Sequence, residues 1–383
     1  MDINSIVIIG TGLAGYNLAR EIRKRTQDIK LTLVTSDDGA FYSKPMLSNA
    51  LAKQKQPADL PMGDADKMRS DLNATIVTDT VVTKIDSDSK CLSLENGEQL
   101  TYDKLVLATG ANPIRFPMEG DGADEVLVVN NLDDYAKFRE RLEDNASVAI
   151  IGPGLIGCEF ANDLVATGHK ATVIGPDKAP MSTLLPTEAG QVLQQALSNI
   201  GVNWCLERTV SAVNKNQNGY ELLLSDGQTV VADMVLSAIG LRPDISLAEG
   251  AGLDCQRGVV VNQQLQTSDE NIYALGDCAE VEGLVLPFVM PLMNGARALA
   301  ATLCGEPTKV TYPAMPVLVK TPAMTTIVSQ PARDAKGDWE FTEMDNGIKA
   351  LFREGDQLLG FVLLGDAAAE KQALTKQLNP VLE

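Results

Sequence analysis

The stretch that decides the fold is SIVIIGTGLAG at residues 5–15, and it recurs as SVAIIGPGLIG at residues 147–157. Each copy begins with a short apolar run, passes through a Gly-x-Gly-x-x-Gly turn and continues into a helical pattern. Each then reaches a second apolar run, LTLVT at 31–35 and ATVIG at 171–175. A strand, a helix and a second strand in this order make a βαβ unit. The two units therefore predict two dinucleotide sites.

The three glycines of each turn have separate physical roles. The first allows the tight turn, the second lets backbone N–H groups approach a pyrophosphate, and the third lets the helix pack closely on the strand. The N-terminus of the helix adds about half a positive charge. An isolated copy favours a packing turn and a nucleotide site equally. Two copies, each inside a complete βαβ frame, favour nucleotide binding.

The ends of the two second strands lack the acid that commonly binds a ribose there, because Thr35 and Gly175 occupy these positions. At Thr35 the hydroxyl, together with Ser36, Asp37 and Asp38, still offers groups that hold a ribose. Gly175 offers neither the acid that favours NADH nor an arginine that receives the 2′-phosphate of NADPH. The sequence thus specifies the nicotinamide preference only weakly.

Composition limits the classes of partner. With 383 residues and 45% hydrophobic content, the chain is long enough for two or three domains, each with its own core. Its formal net charge of -19 disfavours binding to nucleic acid or anionic membranes. We see neither a signal peptide nor an apolar run of membrane-spanning length, and so expect a cytoplasmic protein without membrane insertion.

The cysteines and the single histidine argue against a metal site. The cysteines are far apart and form no CxxC pair, which disfavours zinc, an iron-sulfur cluster and a local redox disulphide. We expect most of them to be small buried thiols. His169 follows an apparent helix end and is expected to be a surface group that complements the helix dipole. The cysteines are Cys91, Cys158, Cys205, Cys255, Cys278 and Cys304.

Further apolar runs outline the rest of the fold. QLTYDKLVLATG at 99–110 and ADMVLSAIG at 232–240 predict strands that close the two nucleotide-binding domains, and NIYALGDC at 271–278 predicts a strand ending in a Gly-Asp turn. After Pro316, the runs VLVK, TTIVS and IKALF and a helical stretch at 366–378 predict a small α+β domain.

These motifs, taken together, resemble one known family. They are GTGLAGYNLARE at 10–21, FYSKPMLS at 41–48, LATGANP at 107–113, GPGLIGCEFANDL at 152–164 and NIYALGDCAE at 271–280. The whole chain resembles the pyridine nucleotide-disulphide oxidoreductases, and within them the FAD reductases that serve rubredoxins and ferredoxins. VMPLMNGARALA from 289 and MPVLVKTPA from 315 resemble the rubredoxin-specific members.

The resemblance implies an α/β fold of the glutathione-reductase type. Two Rossmann-like domains would bind FAD and NAD, and a small α+β domain would follow. The implied boundaries are 1–115 and 243–315 for the FAD domain, 116–242 for the NAD(P)H domain and 316–383 for the C-terminal domain.

The resemblance also implies the cofactors and their contacts. FAD would be held non-covalently at the first glycine turn, and NADH or NADPH at the second. The implied cofactor-binding residues are Ile9, Gly10, Thr11, Gly12, Leu13, Ala14, Gly15, Thr35, Ser36, Lys44, Pro45, Val82, Ala108, Thr109, Gly110, Gly152, Gly154, Leu155, Ile156, Gly157, Glu159, Ile239, Gly240, Gly276, Asp277, Val289 and Lys320.

Three of these residues are the implied catalytic groups: Lys44, Glu159 and Lys320. By resemblance the two lysines lie beside the isoalloxazine and Glu159 lies at the contact between nicotinamide and flavin. A cation there stabilises reduced flavin, and a carboxylate helps to place the nicotinamide. These three residues and Asp277 each also have a structural interpretation that involves no cofactor. The lysines fit the surface, Glu159 fits the first turn of a helix, and Asp277 fits the cap of a turn.

What the chain lacks narrows the activity. Disulphide reductases of this family need two exchanging cysteines and a C-terminal histidine, and the single-cysteine oxidases need a cysteine near Met46. The first cysteine here is Cys91. The remaining class passes electrons outward one at a time. The resemblance therefore implies a monomeric reductase that takes hydride from NAD(P)H and reduces rubredoxin, as in the supply of an alkane hydroxylase or an oxygen-reducing system.

Three alternatives stay open. In the first, the electron acceptor is the ferredoxin of an oxygenase, and in the second it is a flavorubredoxin. In the third, the protein resembles apoptosis-inducing factor, and its redox activity is secondary to a structural or signalling role. Rubredoxins are expected to be acidic, and two acidic proteins repel each other. An acidic reductase therefore needs a local basic or apolar surface for docking, and the sequence does not locate it.

Overall fold

The computed structural model describes residues 3–383. The first glycine turn and its surroundings form ten strands and two helices. The strands are β1 Ser5–Ile9, β2 Lys30–Val34, β3 Phe41–Tyr42, β4 Pro61–Gly63, β5 Thr75–Val77, β6 Val82–Asp86, β7 Cys91–Leu94, β8 Gln99–Thr101, β9 Lys104–Leu107 and β10 Ala111–Pro113, and the helices are α1 Leu13–Arg23 and α2 Ala65–Leu72. Short 3-10 helices cover Lys44–Asn49 and Pro57–Asp59.

The second glycine turn lies in a segment with three helices and seven strands. The helices are α3 Leu132–Arg141, α4 Leu155–Ala166 and α5 Thr187–Asn199, and the strands are β11 Ser147–Ile151, β12 Lys170–Gly175, β13 Val202–Leu206, β14 Val210–Asn216, β15 Gly219–Leu224, β16 Thr229–Ala232 and β17 Met234–Ser237. A 3-10 helix at Ala123–Glu125 precedes them.

The rest of the chain first returns to the region of the first sheet and then forms a separate sheet. Its elements are β18 Leu241–Pro243, α6 Ser246–Gly250, β19 Val259–Val261, β20 Ile272–Ala274, β21 Ala279–Val281, α7 Val289–Leu303, β22 Val317–Val319, β23 Thr326–Ser329, β24 Asp338–Met344, β25 Gly347–Glu354, β26 Gln357–Gly365 and α8 Lys371–Thr375, with 3-10 helices at Gly276–Cys278 and Asp366–Glu370. Within residues 3–383, no helix is long and apolar enough to span a bilayer.

Two parallel sheets carry the two glycine turns. The first has the order β20-β9-β1-β2-β5, and the second has the order β13-β12-β11-β17. In each, the strand before the glycine turn pairs in parallel with a neighbour on both sides. Such strands are covered on both faces, which explains why β1 and β11 read as continuous apolar runs. The predicted α/β fold with two dinucleotide-binding units is confirmed.

Smaller antiparallel sheets complete these two units. Strands β6, β7 and β8 form one three-stranded sheet and β14, β15 and β16 form another. Strand β10 pairs with β18, with Pro113 opposite Leu241. The chain therefore leaves the first unit and returns to it through one two-stranded ribbon. The predicted domain boundary at 115 lies just past β10, and the one at 242 lies within β18; both remain predictions.

The C-terminal region forms a five-stranded antiparallel sheet in the order β22-β23-β26-β25-β24. The three predicted apolar runs lie on β22, β23 and β25, but β24 and the central strand β26 were not predicted. The predicted terminal helix over 366–378 is shorter than expected, because a 3-10 helix at Asp366–Glu370 precedes the five-residue helix α8.

One buried core links all three regions. It joins Leu47 and Leu60 from the 3-10 helical segment with residues of α4, such as Phe160 and Leu164, and with residues of the C-terminal sheet, such as Val362. The side chains at this junction are therefore fixed by packing from several elements at once.

The third glycine of each turn permits close packing of the helix, as the motif predicts. A β-carbon on Gly15 would lie 1.9 Å from the carbonyl oxygen of Gly10, and one on Gly157 would lie 2.0 Å from that of Gly152. By contrast, a β-carbon on Gly12 or Gly154 meets no atom within 4 Å. The middle glycine leaves room for a ligand instead of allowing close packing.

We expect Gly157→Ala to destabilise the protein by about 1–3 kcal/mol, because the added methyl forces helix α4 away from strand β11. Gly154→Ala is the matched control, since a methyl there has free space. Urea unfolding followed by tryptophan fluorescence measures both variants. An equal loss of stability in the two would contradict the packing role of Gly157.

Candidate active site

A single cleft with a volume of about 2080 Å³ is lined by both glycine turns and by the C-terminal region. Its volume exceeds that of an ordinary small-molecule pocket, roughly 300–1,000 Å³. All of the predicted cofactor-binding residues line it except Gly15, Gly157 and Gly276. These three act through the backbone: Gly276 has a φ of +81°, and a β-carbon there would lie 2.9 Å from that of Ala14.

Both helices that follow the glycine turns begin with uncapped N–H groups. Within residues 3–383, no side chain caps the N-terminus of α1 or α4, and neither helix has an acidic residue in its first turn. The middle glycines leave open space in front of these termini. Free N–H groups at the positive end of a helix dipole bind anions such as a pyrophosphate. The two turns therefore fit the two dinucleotides that the motifs predict.

An acid follows the end of the second strand in both units, two residues beyond the expected position. Asp37 accepts a hydrogen bond from the hydroxyl of Thr35 at 2.7 Å and from the amide of Gly39 at 3.0 Å. Asp177 accepts one from the hydroxyl of Ser182 at 2.7 Å. Both acids line the cleft. Sequence reasoning missed Asp177, although its spacing matches that of Asp37.

Gly175 is a glycine because of its neighbour in the glycine turn. A β-carbon there would lie 2.1 Å from Cδ of Pro153. No larger residue fits at the strand end while Pro153 occupies that space. The acid can therefore stand only after the strand, where the chain has turned away from Pro153.

Glu159 lies one turn inside helix α4, so the alternative of a first-turn acid is wrong. It is almost fully buried, at 1% exposure. Its carboxylate accepts hydrogen bonds from the hydroxyl of Ser48 at 2.5 Å, from the Lys320 amide at 2.9 Å and from Lys320 Nζ at 2.5 Å. Burial of a carboxylate is costly unless such hydrogen-bond donors and a cation surround it.

Lys320 is an ion-pair partner and not an ordinary surface lysine. Besides Glu159, its Nζ donates to the carbonyl oxygen of Pro45 at 2.5 Å and to the hydroxyl of Ser48 at 2.8 Å. The resemblance placed its charge beside the isoalloxazine, and the structure commits that charge to Glu159. Ser48 is a further site residue that sequence reasoning missed, although it lies inside the quoted FYSKPMLS motif.

Lys44 and Asp277 are two charged groups of the cleft wall, beside the glycine turn of the first unit. Within residues 3–383 neither makes a hydrogen bond or an ion pair. Burial lowers the pKa of the Lys44 amine, and the nearby Asp277 opposes this shift. Burial likewise raises the pKa of the Asp277 carboxyl, against the effect of Lys44. Lys44 is therefore not an ordinary surface lysine, and Asp277 does not cap a turn with its side chain. Charged side chains without partners in a cleft wall are suited to binding a polar ligand.

Other cleft residues come from separate elements. Val82 begins β6 and is buried, whereas Val289 begins α7 and is exposed. Asn130 also lines the cleft; its side-chain amide donates to the carbonyl oxygen of Ala111 at 3.0 Å, and its side-chain carbonyl oxygen is buried with no hydrogen-bond partner among residues 3–383. No motif in the sequence predicts Asn130 as a site residue, because it precedes α3 outside the quoted motifs.

Asp163 fastens helix α4 to the segment that carries Lys44 and Ser48. It lies one turn beyond Glu159 and is 3% exposed. Its carboxylate accepts hydrogen bonds from the amides of Leu51 at 2.9 Å and Ala52 at 3.0 Å, and burial raises its pKa. Glu159 and Asp163 together fix α4 against that segment.

The thiols differ from expectation. Only Cys158 and Cys278 are fully buried, while the other four cysteines are half-buried, so the expectation that most are buried is wrong. Burial raises the pKa of both buried thiols. His169 is half-buried, and burial lowers the pKa of its imidazole; its predicted role at the helix end stays a prediction. No cluster of potential metal ligands occurs among residues 3–383.

The fold and the cleft define an oxidoreductase with two dinucleotide sites, and comparison with known proteins identifies the family. Residues 4–300 match the family described as pyridine nucleotide-disulphide oxidoreductase. Residues 309–378 match the family described as rubredoxin binding C-terminal domain. The chain belongs to the pyridine nucleotide-disulphide oxidoreductase family.

Within this family the chain is similar to named reductases over nearly its full length. It is 49% identical over 381 residues to rubredoxin-NAD(+) reductase of Acinetobacter baylyi, covering 97% of each chain. It is 46% identical to rubredoxin-NAD(+) reductase of Alcanivorax borkumensis, covering 99% of this chain and 100% of the relative. The nitric oxide reductase FlRd-NAD(+) reductase of Klebsiella pneumoniae is 37% identical, with 98% of this chain and 99% of the relative covered.

Solved structures share the same fold. The covalent putidaredoxin reductase-putidaredoxin complex superposes with a TM-score of 0.89 at 25% identity, covering 99% of this chain and 94% of the other. The NADH:rubredoxin oxidoreductase of Clostridium acetobutylicum has a TM-score of 0.82 at 22% identity, covering 97% and 94%.

We expect iodoacetamide at pH 8 to leave Cys158 and Cys278 unmodified in the folded protein, because burial shields them and raises their pKa values, so little thiolate forms. The half-buried Cys91 and Cys205 should react slowly and serve as internal controls. Mass spectrometry of tryptic peptides measures each site. Rapid labelling of Cys158 would show that a reactive thiol lies beside the second nucleotide turn.

Proposed function

We propose that this protein oxidises NADH through bound FAD and passes the electrons one at a time to rubredoxin. The observation that carries this proposal is that one cleft joins both glycine turns to the C-terminal region, most of which matches the rubredoxin-binding family. The relatives named rubredoxin-NAD(+) reductase support the same donor and acceptor. Cytoplasmic location, a monomeric state and the oxidase that is served stay predictions.

The protein's first task is to bind two dinucleotides in one cleft. The bare N-terminus of α1, behind Gly12, would hold the pyrophosphate of FAD, and that of α4, behind Gly154, would hold the pyrophosphate of NADH. Because both turns open into the same cleft, the reactive ends of the two ligands can meet between them. Holding two reactants in register removes much of the entropic part of a barrier.

FAD, when bound, accepts a hydride from NADH and releases electrons singly, as a one-electron iron acceptor requires. The side chains of the cleft supply electrostatics and position. Lys44 lines the cleft and makes no hydrogen bond or ion pair within residues 3–383, so its amine is free to stabilise negative charge on a bound ligand. Glu159 is held rigidly at the junction by Lys320 and Ser48.

No thiol takes part in the proposed electron transfer. The two buried cysteines beside the cofactor motifs, Cys158 and Cys278, are isolated and have raised pKa values. A thiolate is the reactive form, and these sites disfavour it. This distinguishes the proposed reaction from that of the disulphide reductases that share the family's name.

The acceptor is tested by reducing the protein anaerobically with NADH in a stopped-flow instrument and then mixing it with oxidised rubredoxin or with a [2Fe-2S] ferredoxin. We expect rubredoxin to be bleached faster. Faster bleaching of ferredoxin would assign the chain to the ferredoxin reductases. If neither NADH nor NADPH bleaches the flavin, the proposed activity fails and a role like that of apoptosis-inducing factor is favoured.

We expect Asp177→Ala to lower kcat/KM for NADH by about tenfold and to leave kcat/KM for NADPH unchanged or higher, because an acid beside the ribose favours a free 2′-hydroxyl over a 2′-phosphate. Glu188→Ala is the control, since it removes an exposed acid from the same unit outside the cleft. Initial rates of the wild type and both variants, measured over a range of NADH and NADPH concentrations, give the two kcat/KM values. An unchanged ratio of the two kcat/KM values would exclude Asp177 from the choice of nucleotide.

A further inference from the structure

Ser48 lies at the centre of the junction although no motif assigns it a role. It belongs to the 3-10 helix Lys44–Asn49 and is 3% exposed. In a 3-10 helix, residues three apart are eclipsed on one side. Ser48 therefore presents its hydroxyl on the same side as Pro45, and its Oγ lies 3.5 Å from the carbonyl oxygen of Pro45.

The hydrogen bonds of Lys320 account for its entire ammonium group. An ammonium has three N–H donors and no acceptor. The structure gives Nζ three acceptors: the carbonyl oxygen of Pro45 at 2.5 Å, the hydroxyl of Ser48 at 2.8 Å and the carboxylate of Glu159 at 2.5 Å. No donor remains for a ligand, so Lys320 cannot contact the cofactor through Nζ without breaking one of these bonds.

The hydroxyl of Ser48 closes the network. It accepts from Lys320 Nζ and donates to Oε2 of Glu159, the same oxygen that accepts from Nζ. The other carboxylate oxygen, Oε1, accepts from the Lys320 amide. Both ends of the ion pair are thus held by one hydroxyl, and a fully satisfied buried network of this kind is rigid. Without the hydroxyl, the carboxylate and the ammonium can rotate about their contact.

We propose that Ser48 is a positioning residue for NADH oxidation, which fixes the carboxylate of Glu159 at the place where the nicotinamide meets the flavin. Its second effect is on charge. By committing Lys320 to Glu159, the network leaves Lys44 as a cleft lysine that has no hydrogen-bond or ion-pair partner within residues 3–383. The inference rests on the proposed function, because it requires that hydride transfer from NADH take place at this junction.

The test is Ser48→Ala, studied in the full-length protein with bound FAD. Ser43→Ala is the matched control, because Ser43 is the N-cap residue just before the same 3-10 helix and its side chain makes no capping hydrogen bond within residues 3–383. Stopped-flow reduction by NADH gives the limiting rate of flavin bleaching and the half-saturating concentration. The long-wavelength absorbance of the reduced protein with NAD+ reports the stacking of nicotinamide on flavin.

For Ser48→Ala we expect the limiting rate of bleaching to fall by about tenfold, because small displacements of a positioning group cost at least this much. The half-saturating NADH concentration should change less than the rate, and the long-wavelength absorbance should weaken. Ser43→Ala should match the wild type in all three. A Ser48→Ala protein that melts at a lower temperature but is bleached at the wild-type rate would overturn the proposal and leave Ser48 a purely structural role.

A double variant tests the network without relying on one substitution. If Ser48 acts by holding the ion pair, Ser48→Ala combined with Lys320→Met should lose no more activity than the more impaired single variant. Multiplied losses would contradict a shared action. Ser48→Cys, which keeps the side-chain size but is a weak donor, replaces Ser48→Ala if the latter retains no flavin. A wild type that NADH does not bleach would refute the proposed function itself, whereas equal bleaching of wild type and Ser48→Ala refutes only this inference.

Discussion

The ion pair between Glu159 and Lys320 is the interaction on which the arrangement of the cleft depends. A carboxylate with 1% exposure is costly unless a cation and hydrogen-bond donors surround it. The cation comes from the C-terminal region and the carboxylate from the second nucleotide-binding unit. The C-terminal region therefore contributes a charged side chain to the wall of the candidate active site, in addition to matching the rubredoxin-binding family. Its core is continuous with that of helix α4, which keeps the two partners in place.

The sequence predicted the features that depend on local backbone constraints. The two glycine turns could be recognised because each glycine answers a steric demand within a few residues, as at Gly157 with the carbonyl of Gly152. Ser48 could not be found in this way, since its partners Glu159 and Lys320 are 111 and 272 positions away along the chain. The FYSKPMLS motif includes Ser48, but the motif does not show which distant residues its hydroxyl contacts.

Two other misses have the same origin in tertiary structure. The sequence analysis considered only Gly175 as the position of a ribose-binding acid in the second unit. Pro153 leaves no space for a side chain at Gly175, and the acid of this unit is Asp177, two residues further along the chain. Strand β26 was not predicted, although it is central to the C-terminal sheet and pairs with both β23 and β25. Its run of apolar residues follows directly on the exposed hairpin after β25, and only the assembled sheet distinguishes it.

The ribbon of β10 and β18 makes the second nucleotide-binding unit an insertion into the first. The chain enters the second unit after β10 and leaves it at β18, and these two strands are paired with Pro113 opposite Leu241. The first unit can therefore fold around this ribbon as though the second unit were a long loop. Such a unit can be exchanged for another donor-binding module without re-routing the chain. A replacement unit must carry a carboxylate at the position of Glu159 to bind Lys320 and Ser48. Without it, the ammonium group of Lys320 is left unpaired where the two units meet.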